Sequence, residues 1–121
     1  RDVDVCYANL ERWWRALREL LSINPQRRGP CEIHDTFIGR AYGDPTEASL
    51  DAILQMAQSE GILLDPAYSG KTCAGLIAHC QSGRWRPGQQ IVMIHSGGVP
   101  ALFAYHAEVR SHLVRRGVLP E

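Results

Sequence analysis

Residues 90–100 read Gln-Ile-Val-Met-Ile-His-Ser-Gly-Gly-Val-Pro, a short apolar run that leads through a glycine-containing turn into a stretch with helical character. The run from Ile91 to Ile94 is apolar at every position, which is typical of a strand that a parallel sheet buries on both faces. Glycines in the turn let a ligand approach the backbone, and the start of the following helix offers free amide donors. By itself the turn is a weak signal, because glycine pairs after strands are usually only tight turns.

The same order of apolar run, turn and helix occurs twice more along the chain. Residues 31–37 alternate loosely, as a strand does, and a turn with Tyr42 follows them. Residues 62–64 form a short apolar run before the turn at 65–71. Alternation of strand and helix predicts an α/β fold. Parallel strands would bring all three turns to one edge of the sheet, where such folds bind ligands.

The spacing of apolar residues predicts a helix in several segments. Residues 8–23 form an amphipathic helix with charged residues between the apolar positions. Asp44 and Glu47 are a box-like pair at the start of a second helix, which Gly61 ends. A third helix is predicted at residues 70–80. Two more are predicted at residues 100–105 and 108–121.

Composition limits the classes of function. The 121 residues are 45% hydrophobic and fit one domain, and no apolar run approaches the length that spans a bilayer. Lysine plus arginine number 13, as do aspartate plus glutamate, so no net charge draws the chain to nucleic acid or to an anionic membrane. We therefore expect a cytoplasmic protein that acts on a small molecule, with no nucleic acid and no membrane as partner.

The cysteines and histidines do not predict a metal site. The four cysteines have no CxxC pairing, and the five histidines include no HExxH motif. Cys73 and Cys80 are placed on one face of the third helix, which suits packing in the core. We expect reduced and mostly buried thiols. The chain also has no GxSxG elbow, Walker loop or GxGxxG fingerprint, so hydrolase and nucleotide-binding functions lack support.

The turn at 65–71 combines a phenol, a hydroxyl and an ammonium. Tyr68 is a candidate proton donor to a substrate or cofactor. In the alternative interpretation Tyr68 packs, Ser69 caps the helix and Lys71 is solvated, and the local sequence does not separate the two. Lys71 is the single lysine of the chain. An exposed lysine is ordinary at the start of a helix, so we do not assign it a Schiff base.

Two segments together resemble a known enzyme family. They are Glu60-Gly-Ile-Leu-Leu-Asp-Pro-Ala-Tyr-Ser-Gly-Lys-Thr-Cys-Ala-Gly-Leu-Ile77 and Ile94-His-Ser-Gly-Gly-Val-Pro-Ala-Leu-Phe-Ala-Tyr-His106. Their order and spacing are similar to the C-terminal part of D-cysteine desulfhydrases and 1-aminocyclopropane-1-carboxylate deaminases. These are pyridoxal-phosphate enzymes of fold type II, with the tryptophan-synthase-β-like fold. The resemblance spans about residues 37–109 and implies parallel strands that alternate with helices.

The resemblance also implies how the chain is organised. Residues 1–121 would be the C-terminal portion of the cofactor-binding catalytic domain, and the first residue, Arg1, adds to the expectation of a fragment. Residues 1–30 would form a leading amphipathic helix and a loop, and residues 31–109 a βα core. In this family the lysine that binds pyridoxal 5'-phosphate as a Schiff base precedes the matched region. This chain alone is therefore predicted to be inactive, and the full-length protein is expected to be a homodimer.

By resemblance, six residues of the turns receive roles. Ser96 would set its hydroxyl against the pyridine nitrogen of the cofactor, and the two glycines after it would let the ring lie close. Tyr42 and Tyr68 would flank the amino-acid substrate, and Ser69 takes the position that separates the family's two activities. The predicted catalytic residues are Tyr42 and Tyr68, and the predicted cofactor-binding residues are Ser69, Ser96, Gly97 and Gly98.

Serine at both 69 and 96 favours one activity within the family. The deaminase pattern has glutamate and leucine at these places, whereas the desulfhydrase pattern has two hydroxyl residues. A carboxylate beside the pyridine nitrogen would strengthen the ring as an electron sink, which loss of a thiolate needs less. The resemblance thus implies β-elimination, from D-cysteine to hydrogen sulfide, ammonia and pyruvate. The alternatives are a 1-aminocyclopropane-1-carboxylate deaminase, an L-cysteate sulfo-lyase-like enzyme, and a non-catalytic fold remnant that acts as a binding module.

Overall fold

A computed structural model describes residues 2–23 and 29–121 of the chain. These divide into two compact units, Arg1–Thr36 and Phe37–Glu121. The loop predicted to follow the first helix falls largely on residues 24–28, which lie outside the described residues. No helix in the described part of the chain is long and apolar enough to cross a membrane.

The first unit is built on helix α1, Val3–Leu21. Its amphipathic character confirms the sequence prediction, but the helix begins before residue 8 because Asp2 caps it: the Asp2 side chain accepts a hydrogen bond from Asp4 N at 2.9 Å. The hydroxyl of Tyr7 accepts from Ile33 N at 3.1 Å, so a side chain of α1 holds the segment that ends this unit.

The second unit contains four helices in the described residues. They are α2, Glu47–Glu60; α3, Ser69–Gln81; α4, Ala101–Ala104; and α5, His106–Arg115. Helix α2 ends at Gly61, which has a φ of 66°, as the sequence predicted. Its predicted cap at Asp44 is wrong. Thr46 caps the helix, because Thr46 Oγ1 accepts from Ser49 N and Ser49 Oγ accepts from Thr46 N, at 3.1 and 3.0 Å.

The core of this unit lies between α2 and α3. Its buried apolar residues are Leu50, Ala52, Ile53, Leu64, Cys73 and Ala74. The two helices approach closely at Gly70, where a β-carbon would lie 3.0 Å from Ile53 Cγ1 and 2.8 Å from Asp65 O. Cys73 is buried as predicted. Cys31 and Cys80 are exposed, so the expectation of mostly buried thiols is wrong for these two.

Helix α5 docks on α2 through a buried histidine. His112 is 1% exposed, and its Nε2 lies 2.9 Å from Asp51 Oδ1 while its Nδ1 lies 3.2 Å from Glu47 Oε2. Arg115 and Arg116 pair with the same two carboxylates from the outside, at 2.7 and 2.5 Å. Since both ring nitrogens of His112 have a partner, its burial is compatible with the general rule that buried polar groups are hydrogen-bonded.

In the described residues, the predicted strands do not form a sheet. Within residues 2–23 and 29–121 the structure contains no β-strand, and residues 89–98 have no regular secondary structure. A strand is defined by hydrogen bonds to a neighbouring strand, and the described residues supply no such neighbour. In the run predicted to be buried, Val92 is 87% exposed and Ile94 is 80% exposed. Of the run at 62–64, only Leu64 is buried.

Candidate active site

The turn before α3 is organised around the buried carboxylate of Asp65. This carboxylate accepts hydrogen bonds from the backbone N–H groups of Ala67, Tyr68 and Ser69, at 2.9, 2.8 and 2.8 Å. It also accepts from Ser69 Oγ at 2.5 Å, while Ser69 Oγ accepts from Asp65 N at 2.8 Å. The turn is therefore closed from both ends, and the backbone of Tyr68 is held in one position.

These hydrogen bonds also decide the charge of Asp65. Burial alone would raise the pKa of this carboxyl group, but the hydrogen bonds from the side chain and backbone of Ser69 and from the backbone of Tyr68 and Ala67 outweigh burial. The pKa of Asp65 is consequently lower than its ordinary value, and the turn carries a negative charge at neutral pH.

The glycine turn at 96–98 lies against the same carboxylate. A β-carbon at Gly98 would lie 2.6 Å from Asp65 Oδ1, and Gly98 has a φ of +93°. His95 joins the two segments as well, because its Nε2 lies 3.0 Å from Leu63 O and its Nδ1 accepts from Gly97 N at 3.1 Å. With Nδ1 acting as an acceptor, the ring proton is on Nε2 and is donated to Leu63. Two of the three predicted turns are thus neighbours.

The third turn meets them through two phenols. The hydroxyls of Tyr42 and Tyr68 are hydrogen-bonded to each other, and their rings are 5.8 Å apart at an angle of 66°. Both side chains are open to solvent, Tyr42 at 82% and Tyr68 at 50%. The structure therefore brings together the two residues to which the family resemblance assigned catalysis. Contacts run from Tyr42 to Tyr68, on to Asp65, and from there to Gly98.

The surroundings of Tyr68 keep it protonated. The hydrogen bond that Tyr68 makes with Tyr42 raises the pKa of Tyr68, and partial loss of hydration and the charges of Tyr42, Asp65 and Tyr105 add to the effect. At neutral pH Tyr68 is a neutral phenol, which can donate a proton or a hydrogen bond.

Tyr105 is a site residue that sequence reasoning missed. It stands between α4 and α5, and its hydroxyl oxygen lies 2.8 Å from the position that a β-carbon at Gly43 would take. It thus lies beside the turn that carries Tyr42 and acts electrostatically on Tyr68. Tyr105 was within the segment that carries the family resemblance, but helical spacing alone gave no reason to place it near the other phenols.

Ser69 and Lys71 differ from what their local sequence predicted. Ser69 is 2% exposed and donates its hydroxyl proton to Asp65, so toward a ligand it retains only the capacity of an acceptor. Lys71 is not solvated: it is 7% exposed, and its Nζ donates to Ile38 O at 2.6 Å. The prediction of an exposed lysine is wrong because the chain around Ile38 folds over the start of α3.

The site is compatible with a flat heteroaromatic cofactor. The described residues contain no group of three or more His, Cys, Asp and Glu side chains placed to hold a metal. Ser96 is exposed, and around a β-carbon at Gly97 no atom of the described residues would lie within 4 Å. A hydroxyl beside open backbone leaves room for a ring whose nitrogen needs a hydrogen-bond partner.

Comparison with known proteins identifies the class of protein. Residues 9–97 match a family model described as "Pyridoxal-phosphate dependent enzyme", and the chain belongs to this family. Enzymes of this family have fold type II.

Similar curated proteins agree with the resemblance that the turns predicted, and confirm it. A D-cysteine desulfhydrase of Serratia proteamaculans (strain 568) is 45% identical over 100 residues, which cover 83% of this chain and 30% of that protein. A D-cysteine desulfhydrase of Yersinia enterocolitica is 47% identical over 83 residues, covering 67% of this chain and 25% of that protein. A D-cysteine desulfhydrase of Klebsiella pneumoniae (strain 342) is 42% identical over 85 residues, covering 70% and 26%. The chain thus spans at most 30% of the length of these relatives.

Proposed function

We propose that this chain forms the C-terminal part of the active site of a pyridoxal-phosphate-dependent lyase that converts D-cysteine to hydrogen sulfide, ammonia and pyruvate. The observation that carries the proposal is the hydrogen bond between Tyr42 and Tyr68 beside the glycine turn packed on Asp65. The similarity to proteins named D-cysteine desulfhydrase, at up to 47% identity, supports the substrate.

Pyridoxal 5'-phosphate, when bound, supplies an electron sink for the negative charge that develops on the α-carbon of an amino acid. In the proposal, the Ser96 hydroxyl would hold the pyridine nitrogen, and Gly97 and Gly98 would leave room for the ring. Ser69 would contribute only as a hydrogen-bond acceptor, because its hydroxyl proton is donated to Asp65. The lysine that attaches the cofactor would lie upstream of this chain. Lys71 is buried and bonded to a carbonyl, which argues against it as that lysine.

The two tyrosines act on the substrate in this proposal. As the bond between the β-carbon and sulfur breaks, its electron pair leaves with sulfur, and the electron pair on the α-carbon forms the double bond between the α- and β-carbons. The neutral phenol of Tyr68 would give its proton to the leaving thiolate. Tyr42, already bonded to Tyr68, can return a proton to it and orient the substrate. The raised pKa of Tyr68 keeps its phenol protonated at neutral pH, which is the form that can donate a proton.

The finer details of the fold belong to the same proposal. Ile91, Val92 and Ile94 expose their side chains, in a chain that matches less than a third of its relatives' length. We propose that residues 91–94 pair as a strand of a parallel sheet in the complete protein, which would remove the exposed apolar surface from water. That the full-length protein is a cytoplasmic homodimer stays a prediction.

The experiment is product analysis with the full-length protein, supplied with D-cysteine, L-cysteate and 1-aminocyclopropane-1-carboxylate in parallel. We expect hydrogen sulfide and pyruvate from D-cysteine at the highest kcat/KM. Sulfite from L-cysteate, or 2-oxobutanoate from the cyclopropane substrate, as the preferred product would replace the proposal by one of the two related enzymes. No turnover of any of the three, in protein that carries the cofactor, would favour a binding module.

A matched pair of variants ties the reaction to this chain. Tyr68→Phe removes the proposed acid, whereas Tyr7→Phe removes a tyrosine hydroxyl that bonds to the segment at 31–33 in the first unit. We expect a loss of about 10²-fold or more in kcat for Tyr68→Phe, the usual scale for a general acid, and near-normal turnover for folded Tyr7→Phe. Residues 1–121 alone are expected to release no sulfide.

A further inference from the structure

We infer that Lys71 is a positioning residue, whose ammonium holds the loop that carries Tyr42 and so sets the contact between the Tyr42 and Tyr68 hydroxyls. The inference rests on the proposed function only in taking these two phenols as the substrate-binding groups. It concerns a residue to which sequence reasoning gave no role.

The environment of Lys71 is unusual for a lysine. Lysine is among the side chains least often buried, because its ammonium loses hydration, yet Lys71 is 7% exposed. It also stands in the first turn of α3, where the positive end of the helix dipole disfavours a cation. Both effects oppose this placement. The short bond from Nζ to Ile38 O, at 2.6 Å, is a charge-assisted hydrogen bond that offsets them.

The hydrogen bond from Lys71 to Ile38 joins the two segments that carry the phenols, a few residues away from each phenol. On one side, Lys71 follows Tyr68 by three positions, in the helix that begins where the Asp65 turn ends. On the other side, Ile38 precedes Tyr42 by four positions in the loop before α2. Since the turn with Tyr68 is already held by Asp65, the bond from Lys71 determines where the other loop lies relative to it.

The loop has little room to shift at the point where Lys71 holds it. Gly39 has a φ of +76°, and a β-carbon there would lie 2.8 Å from Thr46 Cγ2 and 3.6 Å from Lys71 Nζ. Thr46 is the cap of α2, so the loop passes between the start of α2 and the ammonium on α3. The backbone at Gly39 is therefore confined from two sides, and Tyr42 extends from the confined loop into solvent.

The test compares Lys71→Met with Tyr42→Phe in the full-length protein. A fluorinated tyrosine placed at position 68 gives a phenol that titrates nearer neutrality, and its titration midpoint reports the hydrogen bond between positions 68 and 42 without any substrate. Tyr42→Phe should lower this midpoint, because it removes the largest cause of the raised pKa. If Lys71 positions Tyr42, Lys71→Met should reproduce most of that shift. Lys71→Arg, which keeps a charged donor, should restore much of the original midpoint.

The double variant separates positioning from general stability. Lys71→Met combined with Tyr42→Phe should show the midpoint of Tyr42→Phe alone, because the two changes remove the same contact. A midpoint in folded Lys71→Met that equals the unsubstituted protein's would overturn the inference, even if the variant were less stable. Additive shifts in the double variant would also overturn it.

A second variant changes the loop that accepts the hydrogen bond from Lys71. Gly39→Ala introduces the β-carbon that would meet Thr46, and should displace the loop and lower the midpoint with Lys71 intact. If Lys71→Met does not fold, this variant decides: an unchanged midpoint in folded Gly39→Ala counts against the inference. The outcome is independent of substrate identity, so failure to release sulfide from D-cysteine would contradict the proposed function and leave this result standing.

Discussion

The carboxylate of Asp65 lies against the backbone of Gly98, where a β-carbon would come within 2.6 Å of Asp65 Oδ1. Asp65 is also the acceptor for three backbone N–H groups and one hydroxyl of its own turn. One buried carboxylate therefore shapes the turn that carries Tyr68 and also the path of the glycine turn after Ser96.

This relationship predicts different results for two neighbouring glycines. Gly97 and Gly98 both have positive φ, so alanine at either position is strained by about 1–3 kcal/mol. Only at Gly98 would the new methyl group also meet Asp65, since a β-carbon at Gly97 has open space around it. We expect Gly98→Ala to lower the free energy of unfolding more than Gly97→Ala, measured by urea denaturation of the full-length protein. Equal losses would show that the contact with Asp65 costs nothing.

A second prediction concerns the charge of Asp65 and its dependence on pH. Its folded-state pKa is lower than the ordinary value of 3.8, so ionised Asp65 stabilises the folded protein above that value, and the contribution is lost as the pH falls through the folded-state pKa. We expect Asp65→Asn to cost about 1–3 kcal/mol at pH 7, since it disturbs buried hydrogen bonds. The difference from the unsubstituted protein should shrink in acid below pH 3.8.

The control for that measurement is Asp44→Asn. Asp44 pairs with Arg40 at 3.3 Å, but the arginine side chain is 92% exposed, so the pair should contribute only about 0–1 kcal/mol. If Asp44→Asn proved as costly as Asp65→Asn, the special position of Asp65 would be refuted.

A third prediction is a pH dependence of turnover governed by Tyr68. As an acid it must be protonated, so activity should fall at alkaline pH as Tyr68 loses its proton. Tyr42→Phe removes the hydrogen bond that raises the pKa of Tyr68, and the alkaline fall should therefore move to lower pH. The measurement is kcat of the full-length protein against pH, within the range where circular dichroism shows it folded. A fall that stays in place would argue that another group controls it.

A fourth prediction concerns thiol reactivity. Burial raises the pKa of the Cys73 thiol, which is 1% exposed, and both effects slow its reaction with iodoacetamide. Cys80 on the same helix and Cys31 are exposed and should be alkylated first. After the folded protein is exposed briefly to iodoacetamide, mass spectrometry of its peptides should find Cys80 modified and Cys73 intact. Modification of Cys73 at the rate of Cys80 would mean that the core between α2 and α3 opens readily.

Much of the local structure could be predicted from the sequence, because helices are encoded by patterns within a few residues. The apolar spacing of α1 and the stop at Gly61 are both of this kind, and both are confirmed. The cap of α2 was predicted at the wrong residue because Asp44 and Thr46 are both good caps. The sequence does not reveal that Thr46 and Ser49 bond to each other while Asp44 pairs with Arg40.

The sequence by itself determined the family, the helices and the identity of the turn residues, since these depend on residue type and on spacing along the chain. Only the tertiary structure decided that Tyr105 lies beside Gly43, that Lys71 is buried against Ile38, and that Asp65 supports Gly98. These contacts join positions far apart in sequence. They depend on the path of the backbone and on which side chains share limited space, and no pattern of neighbouring residues encodes either.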